Sequence, residues 1–315
     1  MEKRCTAAVL CLLLLFSLTA FSGCSAKDPG HSDVPQPAEE VPSAPQADAD
    51  AKPDDETPVS SGEHIVKVTG DVPGGETEID LELLAAEDPG NTFSGRYSAI
   101  NNWPSKKFCS ASGVRMEAVL GKAGVLDGFR QITVYSTDGY YMSFTREQVL
   151  CERYYFPELE NDSESGALEA PMMIALAYTS RGAEAEPEPV SAQLVLGQED
   201  VFEHNTPAFV EDIAEIAVSN EDPGKWEPAG SFPSPGAIAA GESVKLQHTY
   251  SGLAKMYYTT DGTDPTPYST MYNPSTYQPE VNVPITVTED VTIRVLVRGY
   301  GKNDSDISEL TFSVA

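Results

Sequence analysis

Short alternating runs of apolar and polar residues predict a chain that is rich in β-strands. HIVKVTGDV (64–72) alternates along its whole length, and Pro73-Gly74-Gly75 ends it as a turn would. Other runs are continuously apolar or only partly alternating, which is typical of buried strands. On this basis further strands are predicted at 93–100, 170–178, 191–198 and 213–218.

The stretch ITVYSTDGYYMSFTREQVL (132–150) predicts a hairpin followed by a short helix. Asp138-Gly139 is a turn sequence, since Gly adopts positive φ without steric cost. A catalytic role for Asp138 is the alternative, but its carboxylate is expected to accept hydrogen bonds within the turn. Thr145 and Gln148 fit a capping box that starts the helix.

Another helix is predicted between 113 and 123, where apolar residues follow helical spacing and Gly124 is placed to end it. Together these elements predict an α+β domain over 64–226. Beyond a proline-rich linker, β-rich segments separated by turns predict an all-β, Ig-like sandwich over 229–315.

The N-terminus predicts export and membrane attachment. Lys3 and Arg4 precede an apolar run (7–21) that is too short for a permanent membrane span. The following FSGC resembles the lipobox of bacterial lipoproteins, in which the cysteine becomes the lipid-bearing N-terminus. The resemblance implies a signal peptide at 1–23 and a lipid on Cys24 that holds the protein at the extracytoplasmic face of the cell membrane.

Residues 24–63 are rich in Pro, Ala, Ser and acidic residues and have few large apolar side chains. Such a composition cannot bury enough apolar surface to offset its ordering entropy, so we expect an extended, disordered tether. The whole chain has 49 acidic and 20 basic residues and a formal net charge of −29. This charge excludes nucleic acid as a partner, because phosphates would be repelled.

Of the five cysteines, Cys109 and Cys151 remain after the signal peptide and the lipidated Cys24 are set aside. The remaining two can form one disulfide or stay free, since sequence does not give their separation. The histidines are too scattered for an HExxH-type metal site; they are His31, His64, His204 and His248.

The run GVRMEAVLGKAGVLDGFRQITVYSTDGYYMSFTREQVL, with APMMIALAY and the later FVEDIAEIAV, resembles the molybdopterin-binding domain of the sulfite oxidase family. The resemblance implies a metal-binding Cys upstream, where this chain has RYSAINNW (96–103) without one. Cys109 lies only four residues before Gly113, too close to match the family's ligand unless the loop is shifted. Where the family has a cofactor-binding Arg, this chain has either Gln193 or, in the other possible alignment, Met172 and Met173, and neither choice offers a cation. We therefore expect no cofactor and a non-catalytic role in binding or presentation at the envelope; a molybdopterin-dependent oxidoreductase using Cys109 is the alternative.

The run YYTTDGTDPTPYSTMY (257–272), with the later ITVTEDVTIRVLVRGYG, resembles the C-terminal module of chitobiases, which is Ig-like and related to fibronectin III. No catalytic residues are carried over. Asp261 and Asp264 are expected to make turn hydrogen bonds rather than bind calcium. The tyrosines of this run are either core residues or a stacking surface for carbohydrate or protein; they are Tyr257, Tyr258, Tyr268 and Tyr272. A glycan-binding surface protein is therefore a second alternative. Trp103 and Trp226 are further candidates for sugar stacking.

Overall fold

The computed structural model describes residues 62–315, and these are mostly β-structure, with 44% in strands and 12% in helices. The α+β prediction is therefore wrong: the sheets and the small helical content fit an all-β fold. The predicted signal peptide, the lipid site at Cys24 and nearly all of the predicted tether lie outside the described residues. Within 62–315, no helix is long and apolar enough to cross a membrane.

The first group of strands extends to residue 219. It comprises β1 (Ile65–Val72), β2 (Gly75–Asp80), β3 (Thr92–Ile100), β4 (Lys106–Arg115), β5 (Gln131–Ser136), β6 (Tyr141–Thr145), β7 (Tyr154–Tyr155), β8 (Leu168–Glu169), β9 (Met173–Thr179), β10 (Glu188–Val195) and β11 (Ile213–Ser219). The α-helices among them are α1 (Leu81–Glu87), α2 (Met116–Lys122) and α3 (Arg146–Leu150). Short 3-10 turns occur at Pro89–Asn91, Leu159–Asn161 and Thr206–Ala208.

These strands form two main sheets with one shared core. One sheet has the order β2-β1-β11-β5-β6 and the other the order β10-β9-β4-β3, while β7 and β8 make a separate pair. β1 pairs with β11 in parallel, with Val68 opposite Ile216. Buried side chains of both sheets belong to the same apolar cluster, among them Val68 and Ile216 from the first sheet and Val114 and Ile174 from the second. We call this part of the chain the N-terminal half.

The helix predicted over 113–123 begins later than expected. Gly113 belongs to β4, paired with Phe93 on one side and Ala175 on the other, and the strand continues to Arg115. A Cβ atom on Gly113 would lie 2.1 Å from the carbonyl oxygen of Ile174, so only glycine permits this approach of β4 to β9. Pairing between distant strands thus replaces the first turn of the expected helix.

The predicted hairpin and capping box are confirmed. β5 and β6 pair around Gly139, which has φ of +91°. The Asp138 carboxylate accepts the backbone N–H of Tyr140 at 2.8 Å, and this hydrogen bond lowers the pKa of Asp138. At α3, Thr145 and Gln148 exchange side-chain and backbone hydrogen bonds reciprocally. Asp138 therefore has a clear structural role in the turn.

The second group of strands begins at residue 230. It comprises β12 (Gly230–Phe232), β13 (Gly236–Ile238), β14 (Glu242–Gln247), β15 (Ala254–Thr259), β16 (Thr270–Met271), β17 (Ile285–Val287), β18 (Val291–Gly299) and β19 (Ser308–Val314), with a 3-10 turn at Pro279–Val281. Their sheets have the orders β12-β14-β17 and β13-β19-β18-β15-β16. Side chains of both sheets share an apolar core that includes Val244, Met256 and Phe312. The predicted β-sandwich is confirmed in this C-terminal half, which we take as residues 226–315.

Gln148 joins the two halves of the described chain, which lie within one compact unit. Its Nε2 donates to the carbonyl oxygen of Gly299 at 2.9 Å, and its Oε1 accepts the N–H of Gly301 at 2.9 Å. Gln131 Nε2 adds a hydrogen bond to the Gly301 carbonyl at 2.6 Å. The end of β18 is therefore held against β5 and α3.

Candidate ligand-binding cleft

A cleft of ≈ 950 Å³ lies between the two halves. The N-terminal half contributes residues of the β3–β4 loop, of the β5–β6 hairpin and of the segment after β10. The C-terminal half contributes the face of β15 and β18 that points away from the sandwich core. Residues lining the cleft include Asn101, Asn102, Trp103, Tyr140, Tyr141, Glu199, Asp200, Glu203, His204, Thr206, Lys255, Tyr257, Tyr277, Arg298 and Tyr300.

Trp103 and Tyr277 form a stacked aromatic pair on the cleft. Their ring centroids are 5.3 Å apart and their planes differ by 17°. They come from different halves, and Thr276 N donates to the Asn102 carbonyl at 3.1 Å beside them. Both side chains remain accessible, with 51% of Trp103 and 60% of Tyr277 exposed. The pair therefore offers aromatic surface to a ligand.

The β5–β6 hairpin adds further aromatic surface. Tyr140 and Tyr141 follow the Asp138-Gly139 turn, and both are exposed large side chains that line the cleft. The Tyr140 hydroxyl donates to the carbonyl oxygen of Pro207. That contact holds the hairpin tip against the segment after β10.

A buried guanidinium organises the polar side of the cleft. Arg153 has no exposed side-chain surface, and its Nη1 lies 3.0 Å from Glu203 Oε2 while its Nη2 lies 3.2 Å from Glu199 Oε1. Burial opposes the charge, but the neighbouring Glu203 raises the pKa of Arg153, so the guanidinium stays protonated. The two glutamates are thereby fixed in position.

The same glutamates bind the C-terminal half. Glu199 also pairs with Arg298 of β18, and Glu203 Oε1 accepts the Tyr300 hydroxyl at 2.6 Å. Arg153 is therefore the centre of a charge network that crosses between the halves. No local pattern reveals this network, because Glu199 and Glu203 lie about 50 residues from Arg153, and Arg298 and Tyr300 lie about 100 residues beyond the glutamates.

Asp200 lies beside this network and is also buried. Its Oδ1 accepts the N–H of Phe202 at 2.8 Å, and burial raises the pKa of Asp200 to about 6. Its charge therefore changes in the mildly acidic pH range, unlike that of an ordinary surface aspartate.

Three polar groups of the cleft lack ordinary partners. Lys255 is 8% exposed, and its Nζ donates to the carbonyl oxygens of Asn273 at 3.2 Å and Pro274 at 3.3 Å. Burial lowers the pKa of Lys255 to about 8. His204 Nδ1 and Thr206 Oγ1 are buried, and neither has a hydrogen-bond partner within 62–315. Burial, with a contribution from Lys255, lowers the pKa of His204 to about 3, so the imidazole is neutral.

The four tyrosines that the sequence assigned either to the core or to a stacking surface lie in different environments. Tyr257 is buried and lines the cleft, whereas Tyr258 and Tyr272 pack with the sandwich core. Tyr268 is exposed, donates its hydroxyl to Glu164 at 2.7 Å and contacts Phe202 edge-on. These four rings therefore do not share one surface. The exposed cleft rings Trp103 and Tyr277 are the pair that the structure brings together.

The other candidate residues from the sequence take part in core packing, turn hydrogen bonds or ion pairs. Trp226 packs in the core of the C-terminal sandwich. Asp261 Oδ1 accepts the N–H of Thr263 at 3.0 Å, and Asp264 pairs with Arg294. Among residues 62–315, no cluster of His, Cys, Asp and Glu is arranged to hold a metal ion.

Cys109 and Cys151 are both free thiols, so the disulfide considered from the sequence is not formed. Cys109 lies in β4 among buried side chains such as Tyr97, while Cys151 follows α3 with its Sγ 3.4 Å from Glu199 Oε1. Each thiol is thus held in a different environment.

The environment of Cys109 does not fit a molybdopterin site. Cys109 is only 2% exposed, packs among apolar residues such as Tyr97, and is not among the residues that line the cleft. Gln193, compared above with the family's arginine, pairs within β10 and β9 opposite Ala175 and carries no charge. Cys109 therefore offers no exposed thiolate to a metal, and Gln193 offers no cation to bind a pterin phosphate.

Comparison with protein families gives a match that falls in the C-terminal half. A family model described as the chitobiase/beta-hexosaminidase C-terminal domain matches residues 233–309, about a quarter of the chain. No curated protein matches the chain. The matched residues include the cleft wall formed by Lys255, Tyr257, Arg298 and Tyr300. This wall therefore belongs to a segment similar to a non-catalytic, carbohydrate-related β-sandwich module.

Proposed function

We propose that this protein is a non-catalytic, lipid-anchored envelope protein that binds a carbohydrate in the cleft between its two halves. The lipid on Cys24 and the 24–63 tether would hold the cleft outside the membrane. The resemblance of the N-terminal half to the sulfite oxidase family stays a hypothesis, and no step of this proposal depends on it.

The stacked pair of Trp103 and Tyr277 is the observation that carries the proposal. Apolar faces of sugar rings pack on aromatic side chains, and hydroxyl groups need hydrogen-bonding partners around them. The cleft offers such groups beside the aromatic pair, including the side chains of Asn101 and Asn102. A concave site of this size can hold several sugar rings, whereas a protein ligand with a flat surface would fit it less well.

The similarity of residues 233–309 to the chitobiase/beta-hexosaminidase C-terminal domain supports the carbohydrate class. A protein ligand was the other possibility considered from the sequence. The concave shape of the cleft and its mixture of aromatic and polar groups favour the carbohydrate.

The test is a glycan array with the purified full chain, followed by titration calorimetry with the best ligand. Trp103→Ala and Tyr277→Ala are each expected to weaken binding about tenfold, which corresponds to about 1.4 kcal/mol. Tyr268→Ala is the matched control, because Tyr268 is equally exposed but lies outside the cleft lining. Absence of any glycan signal, or equal binding by all three variants and the wild type, would contradict the proposal.

A further inference from the structure

The cleft contains an unpaired cation beside two unpartnered polar groups, and this arrangement bears on the kind of carbohydrate. Building on the function proposed above, we propose that Lys255, His204 and Thr206 form a subsite for an anionic substituent, a carboxylate or a sulfate ester, of the bound carbohydrate. We call these three residues the anion subsite. The proposal specifies the chemical class of the ligand.

The ammonium group of Lys255 is the first support. An ammonium has three N–H donors, and two of them are directed to the carbonyl oxygens of Asn273 and Pro274. Within the described chain, no carboxylate oxygen lies within 4.0 Å of Lys255 Nζ; the nearby ion pairs involve other cations. Buried charges in proteins are normally paired, because desolvation of a lone charge is costly. A ligand anion would supply the missing partner.

His204 and Thr206 provide the second, independent support. The Thr206 hydroxyl can donate one hydrogen bond, and a neutral imidazole carries one N–H donor. Both polar atoms are buried without a partner in the described structure. Leaving such a group unpaired costs about 1 to 3 kcal/mol. Carboxylate and sulfate oxygens accept several hydrogen bonds at once and would satisfy both residues together with Lys255.

Several of the remaining charged side chains of the cleft compensate one another. Arg153 and Arg298 pair with Glu199, and Arg153 and Tyr300 bind Glu203. Asp200 faces the same cleft. Because burial raises its pKa to about 6, the carboxylate is mostly ionised at pH 7 and becomes neutral at more acidic pH. The formal net charge of −29 opposes the approach of an anion at long range. Recognition must therefore come from direct contact at the anion subsite.

A neutral sugar satisfies this site less well. Hydroxyl groups can pair with His204 and Thr206, but they leave the charge of Lys255 without a counter-charge. A site with desolvated donors discriminates strongly against ligands that fail to pair them. The anionic ligand is thus favoured over its neutral counterpart of equal length.

The experiment compares three hexasaccharides by titration calorimetry against the full chain at pH 7: a neutral N-acetylglucosamine oligomer, a galacturonate oligomer and a sulfated oligomer. We expect one or both acidic ligands to bind at least about tenfold more tightly than the neutral one. The two acidic arms distinguish a carboxylate from a sulfate ester.

Lys255→Met keeps the aliphatic stem and removes the charge, so it is expected to abolish the preference for the acidic ligand. Thr206→Val is a second variant that preserves shape, with an expected loss of about fivefold or more for the acidic ligand. Lys245→Met is the matched control, since Lys245 is exposed on β14 and should leave the preference intact. Circular dichroism confirms that each variant is folded.

Two outcomes would overturn the inference separately from the proposed function. If the neutral and acidic ligands bind equally to the wild type, or if Lys255→Met keeps the preference, the anion subsite is refuted while carbohydrate binding stands. If none of the three hexasaccharides binds and the glycan array is also blank, carbohydrate binding itself fails and the subsite fails with it.

Discussion

Tyr300 and Glu203 are joined by a 2.6 Å hydrogen bond that connects the C-terminal sandwich to the N-terminal half. Tyr300→Phe removes the hydroxyl and keeps the ring, which packs edge-on against Phe144. We expect the free energy of unfolding in urea to fall by about 1 to 3 kcal/mol, because the partly buried carboxylate of Glu203 loses a donor. Tyr154→Phe is the control: its hydroxyl also binds a glutamate, Glu152, but at the surface. Equal effects of the two changes would argue against a buried role for Tyr300.

Arg153→Met tests the centre of the charge network. Removing the guanidinium leaves Glu203 and Glu199 with less compensation in a buried setting, and this is expected to cost about 3 to 5 kcal/mol of unfolding free energy. Arg96→Met removes the exposed pair with Glu184 and should cost less than about 1 kcal/mol. Chemical denaturation of both variants gives the comparison, and a small effect at Arg153 would show that the network contributes little.

Gly113→Ala tests the close approach of β4 to β9. The added methyl group would lie 2.1 Å from the Ile174 carbonyl oxygen, so the strands must move apart. We expect a loss of about 2 to 4 kcal/mol in a thermal or urea unfolding experiment. Gly128→Ala is the matched control, because nothing lies within 4 Å of its added Cβ atom. A tolerated Gly113→Ala variant would mean that the register of β4 is adjustable.

Lys255 should make the folded protein more stable as the pH rises from about 8 to 10.5. Its pKa is lowered to about 8 in the folded state from an ordinary value of 10.5, so the unfolded chain binds the proton more tightly. Below about pH 8 the folded state bears the whole cost of the buried charge, and this cost disappears as the pH rises to 10.5. The stability of Lys255→Met relative to wild type should therefore fall by about 2 to 3 kcal/mol between pH 7.5 and 10.5. A constant difference in unfolding free energy between Lys255→Met and wild type across this pH range would contradict the lowered pKa of Lys255.

The two thiols of the described region should react slowly in the native protein. Burial raises the pKa of Cys109 to about 11 and that of Cys151 to about 12, which leaves little thiolate at pH 7.5. Iodoacetamide labelling followed by peptide mass spectrometry should modify both only after denaturation, without any reductant. If denaturation without reductant leaves both unlabelled, they form a disulfide.

Local patterns were sufficient for the elements that depend on neighbouring residues. The β5–β6 hairpin and the capping box of Thr145 and Gln148 both follow from side chains only a few positions apart. The balance between strand and helix was not predicted, because it depends on distant pairing. β1 lies parallel to β11 almost 150 residues later, and Gly113 is drawn into a strand by two partner strands.

The sequence identified some residues of the cleft as candidates, but it did not predict that they lie together. Trp103 is a candidate stacking residue from the sequence, but no local pattern places it beside Tyr277, which lies far away in the chain. Lys255 gave no signal, since an isolated lysine in an alternating strand is ordinarily exposed. Its ammonium group is held by the carbonyl oxygens of Asn273 and Pro274, 18 and 19 residues later, and no local pattern encodes these contacts.

The stacking of Trp103 on Tyr277 has a consequence for how the protein could diversify. Each ring comes from a different half, so neither half produced alone carries the finished platform. Exchanging the C-terminal sandwich for a relative with other residues at the positions of Tyr277 and Lys255 would give the same N-terminal scaffold a new selectivity. Under the proposed function, ligand preference would be modular, and recombination of whole domains would alter it without a change in the N-terminal fold.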